Sequence, residues 1–209
     1  IAGIMTGILN TKLKITGLLA GILTMTSFYT INLRIMAKPN IGLNNENTII
    51  SIIHNYIDTK YVPLISFFII VIIIKFMIDY FLYTDLGMAI RATGNNPTMI
   101  ESLGVNTDYI KILGLFLANG LVGLSGALVA QYNGFSDVGL GSGMIIAGLA
   151  SVIIGEVFVR SRKIYFATLG VIVGSIVYRF ARAITYEIEF IEPTDLKLVS
   201  VIIIIIDLG

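Results

Sequence analysis

The chain has 209 residues, of which 56% are hydrophobic and only 13% charged, with a formal net charge of +1 and a mean hydropathy of +0.91. Water-soluble domains carry about 25% charged residues, so this composition excludes a soluble globular protein and calls for a lipid bilayer. Near-neutral charge without a basic stripe excludes a nucleic-acid partner, and the lack of cysteine excludes thiolate metal sites, cysteine nucleophiles and disulfides.

A helical crossing needs about 20 mainly apolar residues. Ile1–Leu9 and Val199–Ile206 are each too short, so both are expected to be parts of spans cut at the chain ends. Ile1–Leu9 also lacks the basic start and cleavage site of a signal peptide. Lys12 and Lys14 mark a short polar turn, and Ile15–Leu33 is a full crossing. Met36–Lys60 reads as a loop in which Ile49, Ile50, Ile52, Ile53, Tyr56 and Ile57 repeat at helical spacing, which predicts a short interfacial helix. Tyr61–Leu82 crosses again, with Lys75 and Asp79 four apart on one face.

Tyr83–Asp108 is the one long polar segment that carries structural punctuation. It predicts two short helices with a sharp corner, held between two crossings. Asp85 can N-cap the first, and Gly94 is expected to end it in the left-handed conformation. Asn96 caps the second with Pro97 at its first position, and Gly104 closes it. Such a helical knuckle is a surface suited to being gripped.

Tyr109–Ala130 crosses next, followed by a glycine-rich irregular stretch from Gln131 to Gly143. Met144–Val159 is short for a crossing and predicts a half-helix broken at membrane depth. Arg160, Arg162 and Lys163 form a basic cluster, Ile164–Ala183 returns across, Tyr186–Asp195 is an acidic loop, and Leu196 begins a last span. A cytoplasmic knuckle gives a small excess of Lys and Arg on that side, anchored by the Arg160–Lys163 turn. Gly3/Gly7, Gly17/Gly21 and Gly170/Gly174 are GxxxG pairs, and Gly114, Ala118, Gly123 and Ala127 line another helix; such faces predict helix–helix seams. The fold class is all-α: a polytopic transmembrane helix bundle with a broken, re-entrant short helix, forming one domain over 1–209.

Catalytic chemistry finds little footing. His54 is the lone histidine, and no Ser/His/Asp set, metal-ligand cluster or phosphate-binding loop can be assembled, so no catalytic, metal or cofactor residue is assigned. Leu124–Ala127 resembles part of an ATPase signature but lies inside a crossing. Val138–Gly141 resembles a potassium filter but precedes its short helix where a filter would follow one. Glu156 is either a membrane carboxylate or one half of a local pair with Arg160. Asn119, Gln131, Tyr132, Asn133, Ser151, Ser175 and Tyr178 are the polar residues in or beside the late spans; they either line a solute path or bind helices together.

Gly87-x-x-x-Arg91-Ala92-x-Gly94-x-Asn96, followed by Gly104-Val105-Asn106, resembles the cytoplasmic coupling segment of the permeases that serve branched-chain amino acid and simple-sugar ABC importers. Gly114-Leu115-x-x-Ala118-Asn119-Gly120-Leu121-x-Gly123-Leu124-x-Gly126-Ala127, the run Gly139–Met144 and Ala150-Ser151-Val152-Ile153-Ile154-Gly155-Glu156 extend the likeness. Within that family the chain is most similar to the branch paired with lipoprotein-type binding proteins, whose cargo includes aromatic amino acids. The resemblance implies a multi-pass permease of the bacterial plasma (inner) membrane that is not itself an enzyme. It implies a second permease copy, a cytoplasmic ABC ATPase dimer and an extracytoplasmic solute-binding lipoprotein. It also implies that Asp85, Gly87, Arg91, Gly94, Asn96, Pro97, Glu101, Gly104 and Asn106 belong to a coupling-helix pair docking on the ATPase, with Arg91 bonded to an ATPase carboxylate or a neighbouring loop carbonyl. Ion-gradient-driven transport or a channel is the competing reading, and it would need an ionisable residue at mid-membrane. A membrane scaffold that transports nothing is a third.

Overall fold

The structure, a computed structural model, describes residues 1–43, 48–49, 61–141, 144–159, 161 and 163–187. Most of the expected interfacial helix, the Arg160 and Arg162 positions, the acidic loop beyond Glu187 and the final span lie outside the described residues. The chain forms two compact units, Ile1–Val138 and Gly139–Gly209. The first contains α1 (Ala2–Thr11), α2 (Gly17–Met36), β1 (Asn40–Gly42), α3 (Val62–Tyr83), α4 (Asp85–Asn95), α5 (Pro97–Ser102), α6 (Thr107–Asn133) and β2 (Phe135–Asp137). After a 3₁₀ turn at Val138–Gly141, the second contains α7 (Met144–Phe158) and α8 (Ile164–Glu187).

The protein is thus an all-α polytopic bundle. Among the described residues, five helical stretches are long and apolar enough to cross a membrane: Gly17–Met36, Val62–Tyr83, Thr107–Asn133, Val138–Phe158 and Ile164–Ile184. Isoleucine-rich segments such as α3 are mediocre helix formers in water. In lipid, however, every backbone polar group must be satisfied within the segment, and the helix does so. The break expected before Met144 is present as the 3₁₀ turn. α7 alone has 15 residues, although with that turn the apolar stretch reaches 21. Gln131, Tyr132 and Asn133, expected in an irregular stretch, form the last turn of α6, which ends at Gly134 with φ +72°.

One element was not foreseen. Asn40–Gly42 and Phe135–Asp137 pair antiparallel, with Ile41 opposite Ser136, and the Leu43 N–H donates to the Gly134 carbonyl at 2.8 Å. This ribbon ties the segment after α2 to the end of α6.

Glycine decides how closely the helices approach. α1 packs on α6 through Gly3 and Gly7: a Cβ at Gly3 would overlap the Leu115 carbonyl, and one at Gly7 would lie 2.9 Å from Ile112 Cγ1. α7 and α8 pack antiparallel, with Gly155 against Gly170 and Gly174 against the Ser151 carbonyl, and neither contact leaves room for a Cβ. These two GxxxG pairs are true seams. Gly17/Gly21 is not: a Cβ at Gly21 would meet nothing within 4 Å, and at Gly17 only Asn10 Nδ2 at 3.8 Å. The expected small-residue face of α6 is likewise open at Gly123. α1 and α2 are joined by a hydroxyl relay, in which Thr6 donates to Thr24 at 2.9 Å and Thr24 donates to the Ala20 carbonyl at 2.9 Å.

α3 carries a buried ion pair on its own surface, Lys75 Nζ to Asp79 Oδ2 at 2.5 Å, each side chain 8% exposed. The four-residue spacing brings both groups onto one stripe of the helix.

Candidate functional site

The knuckle is built by two abrupt corners. α3 ends at Tyr83 and α4 begins at Asp85, so Thr84 alone turns the chain. Its backbone is extended (φ −73°, ψ 165°). Its hydroxyl donates to the Phe81 carbonyl at 2.6 Å and accepts from the Gly87 N–H at 3.3 Å. Thr84, not Asp85, is therefore the N-cap. Asp85 falls at the first helical position, where a carboxylate still favours the positive end of the helix dipole. Gly87 lies directly on the end of α3: a Cβ there would overlap the Phe81 carbonyl and sit 2.5 Å from Leu82 Cα. This is the closest approach in the knuckle, and only glycine permits it.

The second corner turns on Asn96, again a single residue between helices, with φ −152° and ψ 91°. Its Oδ1 accepts from the Met99 N–H at 3.1 Å and from the Thr98 hydroxyl at 2.7 Å, with Pro97 at the first helical position. Gly94 does not end α4 in a left-handed turn. The helix runs through it to Asn95, and Gly104 and Gly134 are the glycines with positive φ among the described residues. The extended Asn96 already breaks the helix, so no left-handed residue is needed there. Gly104 does close α5 as expected, at φ +82°, its N–H donating to the Glu101 carbonyl at 2.9 Å. The Glu101 side chain acts as well, its carboxylate accepting from the buried Thr107 hydroxyl at 2.6 Å and tying α5 to the start of α6. Asn106 caps α6 by accepting from the Asp108 N–H at 3.0 Å.

The nine expected coupling residues thus fall into two groups. Gly87, Asn96, Pro97, Glu101, Gly104 and Asn106 shape the knuckle itself. Asp85, Arg91 and Gly94 stand on its exposed surface. Arg91 makes no hydrogen bond or ion pair among the described residues, to a loop carbonyl or otherwise. It shares one face of α4 with Met88 and Asn95, at i, i+3 and i+7. Three apolar residues were missed: Met88 is 50% exposed, Met99 50% and Leu103 69%. Their signal in the sequence was their apolar character within an otherwise polar segment. The Thr93 hydroxyl is buried with no hydrogen-bond partner among the described residues.

The expected path residues do not form one group. On α6, Asn119 donates to its own helix at the Leu115 carbonyl, 3.0 Å away. Gln131 accepts from the Ile49 N–H at 2.9 Å. Tyr132 meets Phe67 edge to face, with centroids 5.7 Å apart, and Asn133 is exposed. Three of these four are engaged in local structure. Ser151, Ser175 and Tyr178, by contrast, are brought together around a cleft of about 590 Å³ between α7 and α8, which Arg179 and Arg182 also line. Sequence reasoning missed both arginines, although they follow Ser175 at i+4 and i+7 on the same helical face. Glu156 is exposed on α7.

Comparison with known proteins gives a consistent result. The family described as branched-chain amino acid transport system / permease component matches residues 1–207. A tyrosine transport system permease protein of Clostridioides difficile (strain R20291) is 44% identical over 204 residues, covering 98% of this chain and 66% of the relative. An uncharacterized protein of Rickettsia prowazekii (strain Madrid E) is 35% identical over 203 residues, covering 94% of this chain and 69% of that relative. The chain therefore spans about two thirds of the length of these relatives. No solved structure matches it significantly.

Proposed function

Because the chain belongs to the family of permease components of branched-chain amino acid transport systems, we propose that it is the membrane subunit of an ATP-driven importer for an amino acid of the aromatic class. The name of the C. difficile relative supports tyrosine as the first substrate to test. In this reading the protein works in a bacterial plasma membrane as one functional domain and performs no catalysis itself. A cytoplasmic ATPase dimer drives it, an extracytoplasmic solute-binding lipoprotein supplies the solute, and a second copy completes the translocation unit. The open middle of α6, where a Cβ added at Gly120, Gly123 or Gly126 would meet nothing within 4 Å among the described residues, offers a surface for that copy.

The observation that carries the proposal is the construction of the knuckle. A docking handle must be rigid inside and adhesive outside. Single-residue corners, the glycine contact on Phe81 and the Glu101–Thr107 tie supply the rigidity. Met88, Met99 and Leu103 supply exposed apolar surface, and Arg91, on the Met88 face, supplies an exposed cation, suited to a groove with a carboxylate. Closure of the ATPase dimer on ATP displaces the handle. The displacement passes into α3 through Thr84 and Gly87, into α6 through Glu101 and Asn106, and on to α1 through the Gly3/Gly7 seam. The gradient-driven alternative has less support: among the described residues, the acid buried in a span is Asp79, and Lys75 neutralises it.

Reconstitution tests the proposal. The tagged chain, gently solubilised, is expected to co-purify with an ATPase at stoichiometric yield. In proteoliposomes with the neighbouring binding protein, it is expected to take up tyrosine in a vanadate-sensitive manner. Uptake that follows an ion gradient and ignores vanadate would overturn it.

A further inference from the structure

The cleft between α7 and α8 is lined by the apolar Met144, Val152 and Val171 and by the polar Ser151, Ser175 and Arg179. Its volume of about 590 Å³ lies within the roughly 300–1,000 Å³ typical of small-molecule sites. Depth gives it meaning. α8 starts at Ile164, directly after Lys163. At about 1.5 Å per residue, Arg179 stands about 22 Å along the helix and Arg182 about 27 Å, against a hydrocarbon core about 30 Å thick. A guanidinium at that depth is costly against lipid and is retained where it faces protein or a watered cavity. Arg179 is exposed on the cleft and makes no ion pair among the described residues.

The serines have the opposite character. A serine hydroxyl has one proton to donate, and both protons are already committed: Ser151 donates to the Ala147 carbonyl at 2.7 Å and Ser175 to the Ile172 carbonyl at 2.8 Å. Toward the cleft they offer lone pairs alone, and so act as acceptors. Arg179 is a pure donor whose planar fork matches a carboxylate. The antiparallel packing of α7 on α8 also brings the first turn of α7, at Met144 and Ala147, to the same cleft, and the positive end of that helix dipole favours an anion. A donor fork and two acceptors in one cavity at membrane depth complement a zwitterion.

We propose that this cleft is a transient binding site for a free α-amino acid, with the carboxylate paired to Arg179 and the ammonium accepted by Ser151 and Ser175. The site rests on the importer reading but adds to it the group that handles the solute after the binding protein lets go. The apolar lining residues accommodate the side chain and set no polar requirement on it.

The test uses the complete importer in proteoliposomes with tyrosine as solute. Arg179→Gln is expected to lower ATP-driven uptake by about tenfold or more, the size of a lost charge-assisted pair. ATP hydrolysis stimulated by the loaded binding protein should stay at the wild-type level, and Arg179→Lys should recover part of the uptake. Uptake by Arg179→Gln within about twofold of wild type would overturn the site, because losing a bidentate pair cannot be that small. A second measurement needs no transport: saturation-transfer NMR on the permease–ATPase complex in nanodiscs, without binding protein. Tyrosine should give a signal that Arg179→Gln or Arg179→Lys weakens, while tyramine, which lacks the carboxylate, should give none; equal signals from the two would overturn the site. If the wild type imports no tyrosine, the importer reading fails by itself, and the tyrosine–tyramine comparison still decides the cleft.

Discussion

In the knuckle, polar side chains close the backbone upon itself, whereas in the α7–α8 cleft they leave hydrogen-bonding capacity open to an incoming molecule. Thr84, Asn96 and Asn106 each satisfy a helix start within three residues, and Glu101 reaches only as far as Thr107. Ser151 and Ser175 satisfy their own helices with their protons and keep their oxygens available, beside an arginine with no ion pair among the described residues. The first arrangement makes a part that moves as one piece; the second makes a surface that responds to what occupies it. Steric tolerance should separate the two regions in the same way.

The largest effect is expected at the seam beneath the cleft. Gly174→Val drives a branched side chain into the Ser151 carbonyl and should cost about 3 kcal/mol or more, read as a lowered melting point in detergent. Gly21→Val, at an open position, is the control and should change little. Next comes Gly87→Ala in the knuckle, where overlap with the Phe81 carbonyl should cost about 1–3 kcal/mol. Because the handle then sits differently on α3, tyrosine imported per ATP hydrolysed should also fall. A normal ratio would show that the Gly87 contact plays no part in coupling.

Gly104 and Gly94 sharpen the comparison within the knuckle. Gly104→Val places a β-branched residue at φ +82° and should cost about 1–2 kcal/mol while the protein still inserts. Gly94→Val sits in an open helical position and should change stability by less than about 0.5 kcal/mol. Parallel melts of the two variants decide the point, and equal losses would mean the α4 end is not helical in the membrane. Thr93→Val is the change of opposite sign: it replaces a buried hydroxyl without a partner among the described residues with a methyl of similar size and should raise stability by up to about 1 kcal/mol.

What could be read in the sequence was what short-range chemistry determines. Asn96, Pro97 and Gly104 were legible because a cap needs only its next three residues. Thr84 and Asp85 were confused by one position because both residue types cap well, and backbone dihedrals alone separate them. The Asn40–Asp137 ribbon was illegible: its strands are three residues long and pair across a separation of 97 residues, with no alternating pattern to announce them. Gly3/Gly7 and Gly17/Gly21 have the same spelling, yet only the first touches another helix backbone. The motif states that close approach is permitted; a partner at the right height is a property of the fold. The path residues divide for a similar reason, since Asn119 and Gln131 can satisfy themselves nearby, while Ser175 and Arg179 acquire a cleft only when α7 lies alongside.

Lys75 and Asp79 neutralise one another along a single helix, and that placement decides what α3 is free to do. Had the two charges belonged to separate spans, they would form a clasp that must open before those spans could part. Carried together, they keep their mutual neutrality when α3 tilts, so this particular contact need not break for the span beside the handle to shift.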